Sequence, residues 1–402
     1  MRASPEHSGA PAFVSPGRSL EHVTAASGAS GRAGDGLFSG MMRSPSEVLR
    51  RFAGVLLLAG CAKAPESASR IAQAPVAARS TPLIIAHRGA SGHRPEHTLA
   101  AYGLAIEMGA DFVEPDLVMT RDRVLVARHE NEIGGTTNVA ARFPERRRSK
   151  VIDGDTVSGW FTEDFTLAEL KSLRAKERLL QRSHAWDGEF EIPTFDEVLA
   201  FVRERERATG RTIGVYPETK HPSYFRAIGL PLEDSLLAVL ARHGYRQRGD
   251  AVFIQSFEVG NLKALRARTT LRLVQLVNLD GVPPDVAAAG GTTRYADLIT
   301  PEGLRGVARY ADAIGAHKWL VLPRAVAGDT SRATSLVRDA HAAGLLVHVW
   351  TMRSDTPDLA LGFLGDAAAE WRAFRDAGVD GMFGDFPDVG AAALRGAAPA
   401  RR

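Results

Sequence analysis

Short apolar runs alternate with longer amphipathic segments along most of the chain, from about residue 83 onward. The runs have the length of buried strands, and the first segment with helical spacing lies within residues 97–108. Eight runs occur: LIIAH at 83, DFVEPD at 111, TIGVYP at 212, AVFIQS at 251, LRLVQL at 271, ADAIGA at 311, LLVHVW at 345 and VDGMFG at 379. Strands that alternate with helices indicate a parallel sheet with crossover helices. Eight such units over about 310 residues favour an α/β fold of the (β/α)8 TIM-barrel type over an open doubly wound sheet.

Two segments depart from this alternation. VLVARHE, which begins at residue 124, follows the second strand after Thr120–Arg123, a loop of hairpin length. Residues 131–190 have no strong period and contain many charged residues and glycines, which is typical of an irregular insertion. We therefore expect one barrel domain over residues 82–395, with an insertion after strand two at about 131–190 that lies at the mouth of the barrel.

The N-terminal part has a different pattern. Arg50 and Arg51 precede an apolar run, Phe52–Ala59, that is too short to cross a bilayer and ends in small residues, as a secretory signal does. Leu58-Ala59-Gly60-Cys61 resembles the lipobox of bacterial lipoproteins, in which the signal is cut before a cysteine that is then lipidated. The alternative for Cys61 is a lone buried thiol. Its place at the end of a signal-like segment favours lipidation.

This pattern predicts the organisation of the N-terminal part and the location of the protein. Residues 1–60 are interpreted as an upstream segment with the lipoprotein signal peptide, and residues 61–81 as the lipidated cysteine and a small, polar, flexible tether. The barrel would be attached to a membrane only through its lipid anchor. By resemblance, Ala62 after the cysteine favours the outer membrane over the inner membrane. The expected location is the periplasm of a bacterium.

Composition excludes several classes of protein. The 50 basic and 47 acidic residues give a net charge of only +3, and no long basic run indicates a nucleic-acid partner. A single cysteine excludes an intrachain disulfide framework and a zinc site with several cysteines. Nucleic acid is therefore not an expected partner, and the oligomeric state is not predicted.

Acidic residues and histidines collect at the predicted carboxyl ends of the first three strands. His87 ends strand one, Glu114 and Asp116 end strand two, and Glu218 ends strand three. Residues two apart in an extended chain face the same side, so Glu114 and Asp116 project together, and Pro115 between them indicates that the strand is ending. In barrel enzymes these strand ends form the active face. Three carboxylates there suit a hard divalent cation, Ca²⁺ or Mg²⁺, rather than zinc. Oxygen ligands do not decide between these two ions, of which we expect Ca²⁺.

Other residues at the same rim change how these acids are interpreted. A lone pair of acids would more simply form ion pairs with the abundant arginines. Here His129 ends the run after strand two, and Arg88 and Lys220 lie beside the acids and His87. Two histidines allow one to take a proton while the other gives one. The combination favours an acid–base reaction centre over isolated ion pairs.

The motifs resemble those of the glycerophosphodiester phosphodiesterase family, in particular its periplasmic bacterial branch. The blocks that carry the resemblance are IIAHRGASGHRPEHTLAAY at 84, GADFVEPDLVMT at 109, VLVARHENEIGGTT at 124, EIPTFDEVL at 191, IGVYPETKHPSYF at 213, FIQSFEVGNLKAL at 253, VHVWTMRSD at 347 and GVDGMFGDFPD at 378. They extend from about residue 83 to 390. His97 departs from the pattern, because many members of the family have asparagine at this position, and we expect a structural role for it.

The resemblance implies a role for each of the rim residues. The acid/base pair is His87 and His129, the metal ligands are Glu114, Asp116 and Glu218, and the phosphate contacts are Arg88 and Lys220. Phe257 and Trp350 lie beside the family blocks and could line the substrate pocket, although packing in the core is an equal alternative. His221, His317, His341 and His348 are interpreted as structural.

The reaction implied is metal-dependent hydrolysis of glycerophosphodiesters to sn-glycerol 3-phosphate and an alcohol, by in-line attack at phosphorus. We assign deprotonation of the nucleophile to His87 and protonation of the leaving alcohol to His129, and the nucleophile is either water or the glycerol hydroxyl of the substrate. Two alternatives stay open. One is a phospholipase of a related barrel family, and the other is a non-catalytic binding lipoprotein.

Overall fold

A computed structural model describes residues 81–324, 329–355 and 358–396. The N-terminal segment, Cys61 and the tether lie outside the described residues. No helix in the described part of the chain is long and apolar enough to cross a membrane.

The strands and helices follow the predicted order. The strands are β1 (Leu83–His87), β2 (Phe112–Glu114), β3 (Asp116–Met119), β4 (Leu125–Ala127), β5 (Arg148–Ile152), β6 (Asp155–Gly159), β7 (Gly214–Val215), β8 (Glu218–Thr219), β9 (Phe253–Ser256), β10 (Arg272–Val277), β11 (Ala313–His317), β12 (Leu346–Met352) and β13 (Gly381–Gly384). The helices are α1 (Leu99–Glu107), α2 (Val139–Arg142), α3 (Leu167–Lys171), α4 (Phe195–Thr209), α5 (Pro222–Ala227), α6 (Glu233–Arg242), α7 (Val259–Arg266), α8 (Pro284–Ala288), α9 (Tyr295–Leu298), α10 (Pro301–Val307), α11 (Lys318–Val321), α12 (Leu336–Ala342), α13 (Ala367–Asp376) and α14 (Pro387–Arg395). All eight predicted strand runs contain a strand.

The strands close into a barrel of eight parallel strands. Strand two is interrupted at Pro115, so that it consists of β2 and β3, and strand three consists of β7 and β8. β1 pairs with both β13 and β2, β2 pairs with β7, and β3 pairs with β8. From β8 the ladder runs through β9, β10, β11 and β12 to β13. Each barrel strand therefore has a partner on both sides, and the predicted (β/α)8 fold is confirmed.

Side chains along β1 point alternately to two different parts of the hydrophobic core. Leu83 and Ile85 face the barrel interior, where they join Phe112, Phe253 and Phe383. Ile84 and Ala86 face outward and belong to the larger core between strands and helices. This period of two places His87, the last residue of β1, on the inward side, in register with Glu114 at the end of β2.

The run at residue 124 forms the hairpin that its loop length suggests. β4 pairs antiparallel with β3, with Met119 opposite Leu125. The chain between β4 and α4 then contains α2, α3 and an antiparallel ribbon of β5 and β6. Two arginines of this segment contact acids in the loops that follow barrel strands. Arg178 contacts Glu96, between β1 and α1, and Arg182 contacts Asp385, just after β13. The segment therefore lies over the same end of the barrel as His87 and Glu114.

Candidate active site

A cavity of about 120 Å³ opens at the carboxyl ends of the barrel strands. It is lined by His87, Arg88, Glu114, Asp116, His129, Glu218, Lys220, Gln255, Phe257, Leu276, Trp350, Thr351, Arg353 and Phe383. The barrel therefore brings together all nine of the residues predicted for catalysis, metal binding and substrate binding. The predicted lipidation site, Cys61, lies outside the described residues.

Three carboxylates form the floor of the cavity. Each of Glu114, Asp116 and Glu218 offers one oxygen, and these oxygens lie within 4.8 Å of one another. The arrangement follows from the interrupted strands, because Glu114 ends β2, Asp116 begins β3, and Asp116 pairs directly with Glu218 across the ladder. Like charges opposite each other on neighbouring strands repel, so an unneutralised trio destabilises this part of the barrel.

The pKa values reflect this crowding. Burial, reinforced by the charges of Asp116 and Glu218, raises the pKa of Glu114 well above its usual value. Burial and Asp116 raise the pKa of Glu218 to about 8, against the opposing effect of Lys220. Burial would also raise the pKa of Asp116, but Lys220 and a hydrogen bond from His97 hold it well below its usual value. The crowding therefore favours the protonated form of Glu114 and Glu218, whereas Asp116 favours the carboxylate.

The trio fits a divalent cation. All three donors are carboxylate oxygens, the ligands that Ca²⁺ and Mg²⁺ prefer. Oδ1 of Asp116 is buried and has no hydrogen-bond partner among the described residues. A buried oxygen without a partner costs free energy unless a cation or a donor reaches it. A bound cation would remove the repulsion between the carboxylates and would also give Oδ1 of Asp116 a partner.

His87 is held by a buried carboxylate. Its Nδ1–H donates to Oδ1 of Asp385, 2.6 Å away, and Oδ2 of Asp385 accepts from Nη2 of Arg182 at 2.6 Å and lies 3.1 Å from Nε of Arg353. Burial and the Arg88 guanidinium lower the pKa of His87 to about 4, despite Asp385. The imidazole is therefore neutral at pH 7, and Nε2, left free by the bond at Nδ1, can accept a proton.

His129 is held in the same way by a more exposed carboxylate. Its Nδ1 lies 2.8 Å from Oε1 of Glu130, and its Nε2 lies 3.4 Å from Nζ of Lys220. An ammonium group can only donate, so Nε2 is the acceptor and the proton is on Nδ1. Burial, together with the charges of Arg88 and Lys220, lowers the pKa of His129 to about 3. Both histidines are therefore neutral bases in the structure.

Arg88 and Lys220 bring positive charge to the trio. The backbone N–H of Arg88, a residue in the left-handed region with φ 61°, donates to Oε2 of Glu114 at 2.8 Å. Its guanidinium contacts Glu96 at 3.1 Å and lies 3.5 Å from Asp116. Nζ of Lys220 lies 2.9 Å from Oε1 of Glu218. Both cations face the cavity, where they can attract a phosphate group.

His97 takes the structural position that was expected for it. It is fully buried, and its two ring nitrogens contact Oδ2 of Asp116 and the hydroxyl of Tyr102, each 2.9 Å away. His97 therefore fixes the side chain of Asp116 rather than the substrate.

Phe257 and Trp350 form one wall of the cavity. Their rings meet edge to face with centroids 5.7 Å apart, and Nε1 of Trp350 donates to the carbonyl oxygen of Gly315 at 2.8 Å. Both side chains are accessible from the cavity, so they are not simply parts of the core.

Several residues of the site were missed from the sequence. Asp385, Arg182 and Arg353 support His87, Gln255 donates to Oε1 of Glu114 at 2.9 Å, and Glu130 contacts His129. Asp385 directly follows β13, so the rule that acids at strand ends are candidates would have found it. Arg182 lies in the aperiodic segment, where no sequence signal indicates its position.

The four histidines interpreted as structural lie in different surroundings. His348 is buried inside the barrel, 2.6 Å from the hydroxyl of Tyr216, and His341 contacts Asp380 at 2.8 Å. His317 packs against Trp350, with ring centroids 4.9 Å apart. His221 lies between Glu130 and Asp153 at the rim of the site.

Fold and site together define a class: a TIM-barrel enzyme in which histidines, clustered carboxylates and basic side chains surround one cavity at the carboxyl ends of the strands. Comparison with known proteins identifies the family. The sequence model of the glycerophosphoryl diester phosphodiesterase family matches residues 87–389. The chain belongs to this family, and the enzymatic class expected from the sequence is confirmed.

Individual relatives agree with this assignment. The chain is 32% identical over 364 residues to a glycerophosphodiester phosphodiesterase of Haemophilus influenzae, which covers 85% of this chain and 96% of the relative. It is 30% identical over 334 residues to a glycerophosphodiester phosphodiesterase of Treponema pallidum, covering 77% and 90% of the two chains.

Solved structures show the same fold. A phosphodiesterase from Oleispira antarctica, whose structure contains the product sn-glycerol-3-phosphate, superposes with a TM-score of 0.51 at 20% identity and covers 78% of this chain and 97% of its own. A glycerophosphodiester phosphodiesterase from Agrobacterium tumefaciens gives 0.50 at 22% identity and covers 77% and 99%.

Proposed function

We propose that the protein hydrolyses glycerophosphodiesters to sn-glycerol 3-phosphate and an alcohol. The observation that carries this proposal is that two histidines, each held at Nδ1 by a carboxylate, face one cavity with three clustered carboxylates and two cations. The product complex of the Oleispira phosphodiesterase supports the same chemistry for a protein of this fold.

The histidines divide the proton transfers between them. Nε2 of His87 takes the proton of the nucleophile as the new oxygen–phosphorus bond forms. If the nucleophile is water, the product is glycerol 3-phosphate directly, and if it is the glycerol hydroxyl of the substrate, the product is a cyclic phosphate that water then opens. The bond from phosphorus to the leaving alcohol breaks, and that oxygen takes a proton from Nε2 of His129. Because Nε2 of His129 carries no proton in the structure, it must first take one from solvent, and the negative charge of a bound phosphodiester favours this by raising the pKa of His129.

Glu114, Asp116 and Glu218 hold the cation, for which we expect Ca²⁺ rather than Mg²⁺, although the three carboxylate oxygens suit both ions. When bound, the cation stabilises negative charge on the phosphoryl oxygens. Arg88 and Lys220 orient the phosphate, and the Phe257–Trp350 wall contacts the glycerol or the head group. Replacement of either Arg88 or Lys220 by a neutral residue would therefore weaken stabilisation of the transition state.

The proposal extends to where the enzyme acts. The basic residues, the short apolar run and Cys61 support a mature lipoprotein attached to a bacterial outer membrane by its acyl chains and facing the periplasm. A tether of about 20 residues would then let the soluble barrel reach diffusing substrates near the membrane.

The test is hydrolysis of glycerophosphocholine by the purified protein, with and without a chelator, and with His87→Ala. We expect both chelation and His87→Ala to abolish release of glycerol 3-phosphate. His184→Ala is the matched control, because His184 is an exposed histidine that also contacts a carboxylate, Asp187, at 2.9 Å. Full activity with chelator or in His87→Ala contradicts the mechanism.

A second substrate tests the phospholipase alternative. Release of products from intact phospholipid vesicles, with no activity on glycerophosphocholine, would assign the enzyme to that alternative instead.

A further inference from the structure

A chain of polar side chains in close contact leads from His129 into the insertion. Oε1 of Glu130 contacts Nδ1 of His129 at 2.8 Å, and Oε2 of the same carboxylate contacts Nε2 of His221 at 2.8 Å. Nδ1 of His221 in turn contacts Oδ2 of Asp153 at 2.7 Å. Four side chains from three parts of the sequence therefore form one continuous connection between the cavity and the β5–β6 ribbon.

The chemistry of each member fixes its role. Carboxylates accept hydrogen bonds, so an imidazole that contacts one carboxylate at each nitrogen carries both protons. Burial opposes this charge, but the bonds to Asp153 and Glu130 raise the pKa of His221 to about 9. His221 is therefore a cation at neutral pH, and it donates to Glu130 from the side opposite His129.

Local backbone geometry positions the side chains of Asp153 and His221. Asp153 and Gly154 form the two-residue turn between β5 and β6, with φ 50° and 94°, as expected of an Asp-Gly hairpin turn. His221, just before α5, has φ 48°, a left-handed conformation that is uncommon for histidine. The turn type and the unusual conformation aim the two side chains at each other.

His129 needs such support more than His87 does. The carboxylate behind His87, Asp385, is only 2% exposed and is held by Arg182 and Arg353. The side chain of Glu130 is 45% exposed, and exposed ion pairs of long side chains are weakly held. Without His221, Glu130 could turn away into solvent and leave Nδ1 of His129 without its acceptor.

We propose that His221 is a positioning residue for His129, acting through Glu130, and that Asp153 extends this support into the insertion hairpin. The inference rests on the proposed function, in which His129 performs a proton transfer. It assigns to the insertion a part in keeping Nε2 of His129 directed at the substrate.

The kinetic test uses His221→Gln and Asp153→Asn in the full-length chain, with glycerophosphocholine as substrate. Loss of support behind a catalytic group lowers kcat by about 10- to 100-fold, while KM stays within about twofold. The controls are His243→Gln, which removes a histidine–carboxylate contact outside the cavity, and Asp155→Asn, which removes a carboxylate beside the same turn. Turnover of all four variants within about twofold of the wild type overturns the proposal.

A double-mutant cycle separates positioning from a general loss of structure. If His221 acts through Glu130, then His221→Gln lowers kcat by less than about twofold once Glu130→Gln is present. Additive losses overturn the proposal, because they mean that the two residues act independently.

Nitrogen NMR of labelled histidine gives a readout that needs no turnover. Lys220 keeps the proton of His129 on Nδ1 in both proteins. We expect this Nδ1–H to exchange slowly with solvent in the wild type and faster in His221→Gln, because Glu130 no longer covers it. Equal exchange rates overturn the proposal. Absence of wild-type hydrolysis would instead contradict the proposed function, so the two failures are distinguishable.

Discussion

Replacement of Asp385 by asparagine tests how His87 is activated. The two side chains have nearly the same shape, but an amide has one acceptor atom and one NH₂ group, whereas the carboxylate has two acceptors. Arg182 donates to Oδ2, the charge of Arg353 lies 3.1 Å from the same oxygen, and His87 donates to Oδ1. In the Asp385→Asn variant one of the two oxygens is replaced by an NH₂ group, so the contacts at that position lose their acceptor.

The charges around Asp385 indicate that the acceptor is lost on the side of His87. Two guanidinium groups are always charged donors, so they draw the amide oxygen to their side and turn the NH₂ group toward His87. Nδ1 of His87 must then accept, which moves the ring proton to Nε2, the atom that should receive the proton of the nucleophile. Since general acid–base catalysis contributes about 10²- to 10⁴-fold, we expect kcat to fall by at least about 10²-fold with little change in KM.

Stability must be measured beside activity. Burial would raise the pKa of Asp385, but His87 and the two arginines hold it well below its usual range, so the carboxylate is ionised and stabilising. Its loss costs at most about 3 kcal/mol, because Arg182 keeps Asp355 at 2.5 Å. Urea unfolding measures this cost, and kcat is compared under conditions in which both proteins are folded.

Asp355→Asn is the matched control, since Asp355 contacts the same Arg182 but not His87. It should lower stability while it retains most of kcat. The reasoning is refuted if Asp385→Asn keeps more than about a tenth of the wild-type kcat, or if Asp355→Asn loses as much.

Three further predictions follow from the structure. Chelation should abolish activity and Ca²⁺ restore it, and Ca²⁺ at about 100 times its Kd should raise the free energy of unfolding by about 2.7 kcal/mol, an effect absent in Asp116→Asn; equal stabilisation of both proteins would contradict the site. The pKa of His221 is raised from 6.5 to about 9, so its stabilising contribution is complete below pH 6.5 and is lost as pH rises through 9. Urea unfolding should therefore show a decline of at most about 3 kcal/mol over this range that disappears in His221→Gln, and identical slopes would argue against it. Finally, Cys61→Ser should move the protein from the membrane fraction to the soluble fraction, and unchanged fractionation would argue against the lipid anchor.

The regular part of the fold was predictable because its signals are local. Each barrel strand is a short apolar run, and the polar residues at its carboxyl end follow directly in sequence, so His87, Glu114 and Glu218 could be placed on one rim. Pro115 was interpreted as a sign that strand two ends there, but the strand only breaks at Pro115 and continues as β3 to Met119.

What was missed depends on contacts between distant segments. The chain between β4 and α4 has no period, so neither its β5–β6 ribbon nor the position of Arg182 could be predicted. His221 was interpreted as structural because its partners, Glu130 and Asp153, are 91 and 68 residues away. Only the folded arrangement shows that these side chains meet.

The pairing of β1 with β13 has a consequence for when the enzyme becomes active. His87 and Asp385 are separated by 298 residues, and they meet only where the first and last strands of the barrel join. Contacts between such distant parts of a chain form late in folding. During synthesis from the N-terminus, a nascent chain would hold the carboxylate trio long before it could orient His87. Hydrolytic competence would therefore arise only at barrel closure, and incomplete chains would be inert toward phosphodiesters.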